Sequence, residues 1–496
     1  MNHHAILVGL DDVIIPSTFA KVHPAKGGGL AFGLRGRALS LAALVMLPLA
    51  VHAAGGQQGP GTAPADATLI LEQPSASQTG PPATITLQDA LKRAEANSPL
   101  FQAAATAVKL AKENRVQARA AMLPSLDETT QYLNDQGNGI SPVGRFVTQD
   151  GIHVYREWAV VHEAMPGSFF ISAAPRAAAY QEALARANAE IARRGLALTV
   201  TNDYYALIVT QREYATAQQS LENARRFLQI SEALEQGGEV AHTDVIRLLL
   251  QFNQQRQALQ DAQMAMSNAR LSLAVLLFPS FNENFTVVDD LDIPPVLPAF
   301  SDVQTMAKNA NPQIRAALAA YRQAGLNVSI ARAAFYPSLS VDFDYGIEAN
   351  AFALNSVNTT VKNIRQPNLG YFAAYAINLP IWDWGARLSK LHQAKDQRQL
   401  ARVDLTFAQR QLLSQLYSFY NEAQVAWSQL DTLRDSVHLA AHNLQLVTLQ
   451  YKAGDAAVLQ VLDAENSLNQ ARNAYAAGEA RYRNALATLQ TLTGSF

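Results

Sequence analysis

The chain has 496 residues, of which 16% are charged, and 39 Lys and Arg against 41 Asp and Glu leave a formal net charge of −2. That balance gives no electrostatic footing for nucleic acid, and the length suits two or three ordinary domains or one elongated one. Cysteine is absent, which excludes disulfides, thiolate-ligated zinc, thiol catalysis and a lipidated N-terminal cysteine.

The first informative segment is RGRALSLAALVMLPLAVHAAGG (35–56). Arg35 and Arg37 precede an apolar run over 38–51, and VHA at 51–53 offers a small-residue cleavage site. These are the three parts of a secretory signal. An anchor helix is the alternative reading, although the run is short for a bilayer span. Residues 1–29 are too many for the basic leader of such a signal, so translation is expected to start downstream. Residues 1–54 therefore read as a leader. Residues 55–85, rich in Gly, Pro, Gln, Ser and Thr, read as a flexible linker. Beyond them no apolar run reaches helix-spanning length, so any membrane crossing must use strands.

The rest of the chain repeats. RAAMLPSL (119–126) returns as RAAFYPSL (332–339), 213 positions later. At that offset AEANSPLFQAA (94–104) faces AKNANPQIRAA (307–317), and Pro99 and Pro124 fall on Pro312 and Pro337. At an offset of 216, GGEVAHTDV (237–245) faces AGDAAVLQV (453–461). The chain thus carries a first repeat over 86–300 and a second over 301–496. The period is far beyond that of solenoids, so each copy is a substantial structural half.

Both halves share one grammar. A helix of about 35 residues is expected over 87–121, stopped by the proline of the repeated phrase. A strand, a polar loop and a second strand follow, then a very long helix, a glycine tip and a returning helix. Residues 384–452 contain no proline and would extend roughly 100 Å at 1.5 Å per residue. A rod of that length must pack sideways against similar rods.

The strands carry the membrane argument. In SLSVDFDYG (338–346) Leu339, Val341, Phe343 and Tyr345 alternate with Ser340, Asp342 and Asp344, giving one apolar and one acidic face. In 370–382, Tyr371, Tyr375, Ile377 and Leu379 share a side, with Phe372 and Asn378 opposite. In the first half, Ile152, Val154, Trp158 and Val160 are expected to form the apolar side of a strand interrupted by Arg156, and 125–133 is the weakest strand. Ten-residue strands with aromatic flanks, here Trp158, Tyr345, Tyr371, Tyr375, Trp382 and Trp384, fit a transmembrane barrel. A soluble sheet on a helical core alternates equally well; the secretory signal favours the barrel. Four strands cannot close in lipid, so copies must share one barrel.

The duplication, the helix-to-strand phrase, NLPIWDWGAR (378–387) and YKAGDAAVLQVLDAENSL (451–468) together resemble the TolC-type outer-membrane efflux channels over residues 86–496. Pro380, Asp383 and Gly385 match the family's corner; Tyr451, Gly454, Leu462, Asp463 and Ala464 match its tip. The resemblance implies a mainly α fold with a small β part. It would be a homotrimer with a shared 12-stranded transmembrane β-barrel and a long α-helical barrel reaching into the periplasm. Such a protein is not an enzyme, needs no cofactor, sits in the outer membrane without lipidation, and takes cargo from an inner-membrane transporter through a periplasmic adaptor. A pore-less periplasmic coiled-coil scaffold or adaptor is the alternative. The first half departs from the pattern at Phe169 and Phe170, and Pro175 is expected to delay the following helix.

The resemblance also nominates residues. Asp463, with Gln460 one turn earlier, is placed at the periplasmic constriction, where three copies would form one carboxylate ring. Gly237, Gly238, Glu239, Val240, Gly454, Asp455, Ala456 and Ala457 form the tips and candidate adaptor contacts, the glycines allowing positive φ. Tyr451 and Asp244 are paired as a closed-state latch. Asp342 and Asp344 are assigned to the barrel lumen. Against these stands no catalytic pattern: there is no phosphate-binding loop, no His-Glu-x-x-His and no histidine cluster.

Overall fold

A computed structural model describes residues 82–134, 153–238, 240–279, 284–349, 352–358, 364–453 and 455–494. All belong to one compact unit, Leu71–Phe496. The leader, most of the linker, Glu239 and Gly454 lie outside the described residues.

The first half runs β1 (Ala83–Ile85), α1 (Leu87–Asn97), α2 (Pro99–Ala120), β2 (Ser125–Asn134), β3 (His153–Met165), a 3-10 turn (Phe169–Ile171), α3 (Ala173–Gln236), α4 (His242–Leu277) and β4 (Phe285–Val287). The second runs α5 (Phe300–Ala310), α6 (Pro312–Ala333), β5 (Ser338–Ala349), β6 (Asn355–Asn358), β7 (Ile364–Pro367), β8 (Leu369–Asn378), α7 (Ala386–Lys452) and α8 (Val458–Thr493). The β6–β7 hairpin escapes the sequence pattern, since its four-residue strands carry no apolar alternation.

The expected single helix over 87–121 is two helices. Proline disfavours helical geometry in the residue before it, and Ser98 is extended (φ −69°, ψ 119°), ending α1 and starting α2. Its hydroxyl accepts the N–H of Phe101 at 3.4 Å, which satisfies one orphan donor of the new helix. Asn311 does the same before Pro312, accepting from the N–H of Ile314 at 3.0 Å. The coincident prolines thus mark helix breaks with their own caps.

The strand-to-helix corners differ between halves for a local reason. In the second half Asp383 accepts from the backbone of Gly385 (3.2 Å) and of Arg387 (2.8 Å) and from the Arg387 guanidinium at 2.7 Å. Gly385 itself is left-handed (φ +86°). In the first half Ser172 takes the left-handed position (φ +47°) behind the 3-10 turn, and no side chain caps the helix. Pro175 does not delay α3, which begins at Ala173, 213 positions before Ala386. A first-turn proline gives up only an N–H that has no helical acceptor.

Two small cores repeat the duplication. Ala90, Ala94, Val200, Tyr204, Leu273 and Leu277 pack together in the first half, beside Ile85 and Phe285 of the parallel β1–β4 pair. Val303, Ala307, Leu416, Leu489 and Leu492 pack in the second. The connecting strap 288–299 is bound to the rods by charge and hydrogen bonds. Arg212 holds Asp289 (2.6 Å), Asp292 (2.9 Å) and the buried Glu479 (2.8 Å), while the Tyr482 hydroxyl donates to the carbonyl of Pro295 at 2.6 Å.

Candidate functional site

The four long strands form one antiparallel sheet in the order β2-β3-β5-β8. Among the described residues, strands β2 and β8 therefore each have one side without a partner strand. Such rows of backbone N–H and C=O groups are intolerable in hydrocarbon unless another strand pairs with them.

Directly paired residues of an antiparallel sheet share a face, so the register sorts the side chains. One face carries Leu339, Val341, Phe343, Tyr345, Tyr371, Tyr375, Ile377, Val161 and Ala159. Tyr371, Tyr375 and Ile377 are about three-quarters exposed, unusual for residues of this type. Trp382 and Trp384 follow at the strand's end, exposed and in edge contact at 5.8 Å.

The other face carries Asp342 and Asp344 together with His162, Val160, Trp158, Arg156, Val154 and Glu348. Asp342 lies 2.5 Å from His162, and Arg156 pairs with Glu348 at 2.7 Å. A cavity of about 370 Å³ on this face is lined by Arg156, Trp158, Val160, Asp344, Glu348 and Phe372. This corrects the expectation for β3. Val154, Trp158 and Val160 share the acidic face, so Trp158 does not join the aromatic residues of the apolar one; it meets Phe372 edge-on at 6.4 Å. Alternation in β3 is apolar-biased on both sides, and only the pairing partner reveals which side faces which way. Ile152 lies outside the described residues.

At the opposite ends of the rods, α3 turns into α4 and α7 into α8. Gly238 is left-handed (φ +75°), while Gly237 is right-handed (φ −78°) and caps α3. Of these two glycines, therefore, only Gly238 uses the expected positive φ. The N–H of Asp455 donates to the Gln450 carbonyl at 2.9 Å and closes the second tip. Asp455 and Ala457 are exposed, and Val240 and Ala456 half-buried. A cavity of about 510 Å³ lies between the tips, lined by Val240, Ala241, Asp244, Tyr451, Ala456 and Ala457.

Tyr451 and Asp244 thus share a cavity but do not bond. The Tyr451 hydroxyl lies 2.9 Å from that of Ser231 on α3, and its ring stands edge-on to Phe227 at 6.4 Å. Asp244 instead pairs with Arg247, one turn along α4, at 3.3 Å. Ser231 carries no sequence signal, because a lone serine in a long polar helix resembles many others. Asp463 and Gln460 lie one turn apart on an exposed stripe of α8, and the backbone of Asp463 accepts from the Ser467 hydroxyl at 2.7 Å. Deeper in the same helix Glu465 is buried, and burial pushes its carboxyl up, partly offset by the Asn223 amide.

Among the described residues no helix is long and apolar enough to cross a membrane; the amphipathic sheet with two free edges is the surface suited to lipid. Solved structures share this architecture. The outer-membrane channel CmeC of Campylobacter jejuni superposes with a TM-score of 0.67 at 17% identity, covering 82% of this chain and 85% of that one. The outer membrane protein VceC of Vibrio cholerae gives 0.68 at 20% identity, covering 82% and 96%. The fold is that of the outer-membrane channels.

Residues 304–495 match the family described as Outer membrane efflux protein. The pyoverdine export outer membrane protein OpmQ of Pseudomonas putida is 26% identical over 286 residues, 55% of this chain and 56% of that protein. The alignment therefore spans about half of that relative. The alkaline protease secretion protein AprF of Pseudomonas aeruginosa is 21% identical over 416 residues, 82% of this chain and 84% of that protein.

Proposed function

We propose that the protein is a trimeric outer-membrane channel, the passive exit duct of a tripartite efflux or type I secretion system. The observation that carries this reading is the β2-β3-β5-β8 sheet, apolar on one face, acidic on the other and open at both edges. Three such sheets make a 12-stranded barrel without free edges. Asp342 and Asp344 then line its lumen. The long helices build the periplasmic tunnel, and energy comes from an inner-membrane transporter reached through an adaptor.

In this assembly the tips at Gly237, Gly238, Val240, Asp455, Ala456 and Ala457, with Glu239 and Gly454, meet the adaptor. Asp463 and Gln460 face the periplasmic constriction. Tyr451, with Ser231 as its partner, holds the closed state. The relatives' names point to both small-molecule export and protein secretion, so the conduit is common to both cargo classes.

Planar-bilayer recording of the purified protein tests the proposal. Discrete cation-favouring conductance steps are expected. A protein that forms no channel and stays out of outer-membrane fractions is a periplasmic scaffold instead.

A further inference from the structure

The wall built by α3 and α8 has two unlike faces. One carries a belt made of α1, α5, the β1–β4 pair and the strap 288–299; the other carries a cavity of about 840 Å³. We infer that this cavity binds a linear aliphatic polyamine, with one ammonium group at Asp203 and another at Glu213. Its placement in the tunnel rests on the trimeric reading above, whereas the binding itself needs only one chain.

Hydrogen bonds define the belt side of both helices. Tyr204 of α3 donates to the carbonyls of Ile85 (3.2 Å) and Val288 (2.7 Å), and Tyr482 of α8 to that of Pro295 (2.6 Å). Glu213 comes nine positions after Tyr204, about two and a half helical turns, so it lies on the far side of α3. Asn484, two positions from Tyr482, is likewise turned away from the strap. The cavity therefore opens away from the belt. Belts on the inner side of the proposed assembly would plug the duct, so the belt lies outside and the cavity opens to the tunnel.

The lining holds negative charge without a counterpart. Asp203, Thr210 and Glu213 of α3 face Ala480, Asn484 and Thr488 of α8. Both carboxylates are half-buried, and among the described residues neither has a hydrogen bond or an ion pair. Burial alone acts on each and pushes both carboxyls up. Glu190, half-buried on the same helix, shows the contrast: Arg193 and Arg194 hold it down at about 2. The amide oxygens of Asn202 and Asn484 in the same cavity are closed to solvent and also lack a donor. Arg481 is the cation of the lining, and it is already engaged by Glu422 and Gln429, each at 2.8 Å. Two carboxylates and two amide acceptors are left for a ligand.

Spacing selects the class of ligand. Ten residues of helix separate Asp203 from Glu213, about 15 Å at 1.5 Å per residue, and one metal ion cannot bridge ligands so far apart. Between the two acids the cavity is floored by Ala206 and Val209 of α3 and by Ala477, Ala480 and Ala485 of α8. A fitting molecule has ammonium groups at its ends and methylenes between them. The ends give the carboxylates the charged donors that burial denies them, and the methylenes cover the alanine floor.

Calorimetric titration of the detergent-solubilised protein tests the site, with micelle blanks subtracted and in an Asp463→Asn background, so that amines held at the tunnel mouth do not count. Putrescine and dodecanediamine carry the same charge and differ in length; the longer is expected to bind about tenfold more tightly. Asp203→Asn and Glu213→Gln each remove one end of the site and break no bond within the chain. Each is expected to weaken dodecanediamine to the level of putrescine. Glu222→Gln, nine positions beyond Glu213 and so on the opposite side of α3, removes the same charge and is expected to change neither affinity. Diamines bound equally, or binding indifferent to Asp203 and Glu213, overturns the inference and leaves the duct standing. A protein that shows the expected length preference but makes no channels in a planar bilayer overturns the duct reading and keeps the site.

Discussion

The hydroxyls of Tyr451 and Ser231 meet at 2.9 Å and tie α7 to α3 just above the tips. A neutral hydrogen bond of this kind contributes about 1 kcal/mol net, and the proposed threefold assembly would repeat it around the tunnel mouth. Tyr451→Phe and Ser231→Ala are each expected to raise the open probability of single channels in a planar bilayer. Because both remove the same bond, the double variant should open no further than either alone. Asp244→Asn, which touches only the Asp244–Arg247 pair, should behave as the parent. Opening by Asp244→Asn to the level of Tyr451→Phe would restore the tyrosine–aspartate latch expected from the sequence.

Glu465 sets a pH dependence of the opposite sign from most carboxylates. Burial holds its pKa above the ordinary value of 4.5, so the fold binds its proton more tightly than the unfolded chain does. Stability is then full below the unfolded pKa and falls as pH rises through the raised one. Glu465→Gln removes the titration while keeping the shape. The variant is expected to melt above the parent at about pH 8 and to lose that advantage at about pH 4. Melting of trimers at the two pH values checks it; an advantage of equal size at both would assign the effect to packing.

The corner residue Asp383 accepts three hydrogen bonds, and they hold its carboxyl below the usual range, the backbone N–H of Arg387 foremost. Asp383→Ala is expected to lower the melting temperature, through loss of the cap that starts α7. Gly385→Ala should lower it too, because a β-carbon is strained at φ +86°. The equivalent first-half changes, Phe170→Ala and Ser172→Gly, remove no capping bond and should have smaller effects. Calorimetry of the four variants compares the corners directly.

How far the sequence could be read depended on the range of the interaction. The repeat placed the four long strands and the long helices because alternation, proline and glycine act locally. Ala386–Lys452 spans 67 residues, within two residues of the start expected at 384. The division at Ser98 is not legible even with Pro99 beside it, because the apolar spacing continues smoothly across it. The face on which Trp158 lies is not legible, because strand register is set by a partner far away in sequence. Tyr451 stands out in the sequence, yet its partner does not: Ser231 lies 220 positions away on a helix with no distinguishing pattern there.

The exposed stripe of α8 carries the last prediction. Asp463 and Gln460 project from one side of the helix, next to the tips that turn at Gly238 and Asp455. If three copies bring this stripe together, three carboxylates share a narrow mouth, and their field concentrates cations and repels anions. Asp463→Asn removes the ring and should shift the reversal potential in a salt gradient toward zero, with block by divalent cations lost as well. Gln460→Asp should do the reverse, adding a second ring one turn away and deepening divalent block, because crowded like charges are relieved by a bound cation. An Asp342→Asn channel is the control for the proposed barrel lumen, because Asp342 already has a partner in His162 at 2.5 Å. Selectivity that follows Asp342 and ignores Asp463 would move the selective site from the periplasmic mouth to the barrel.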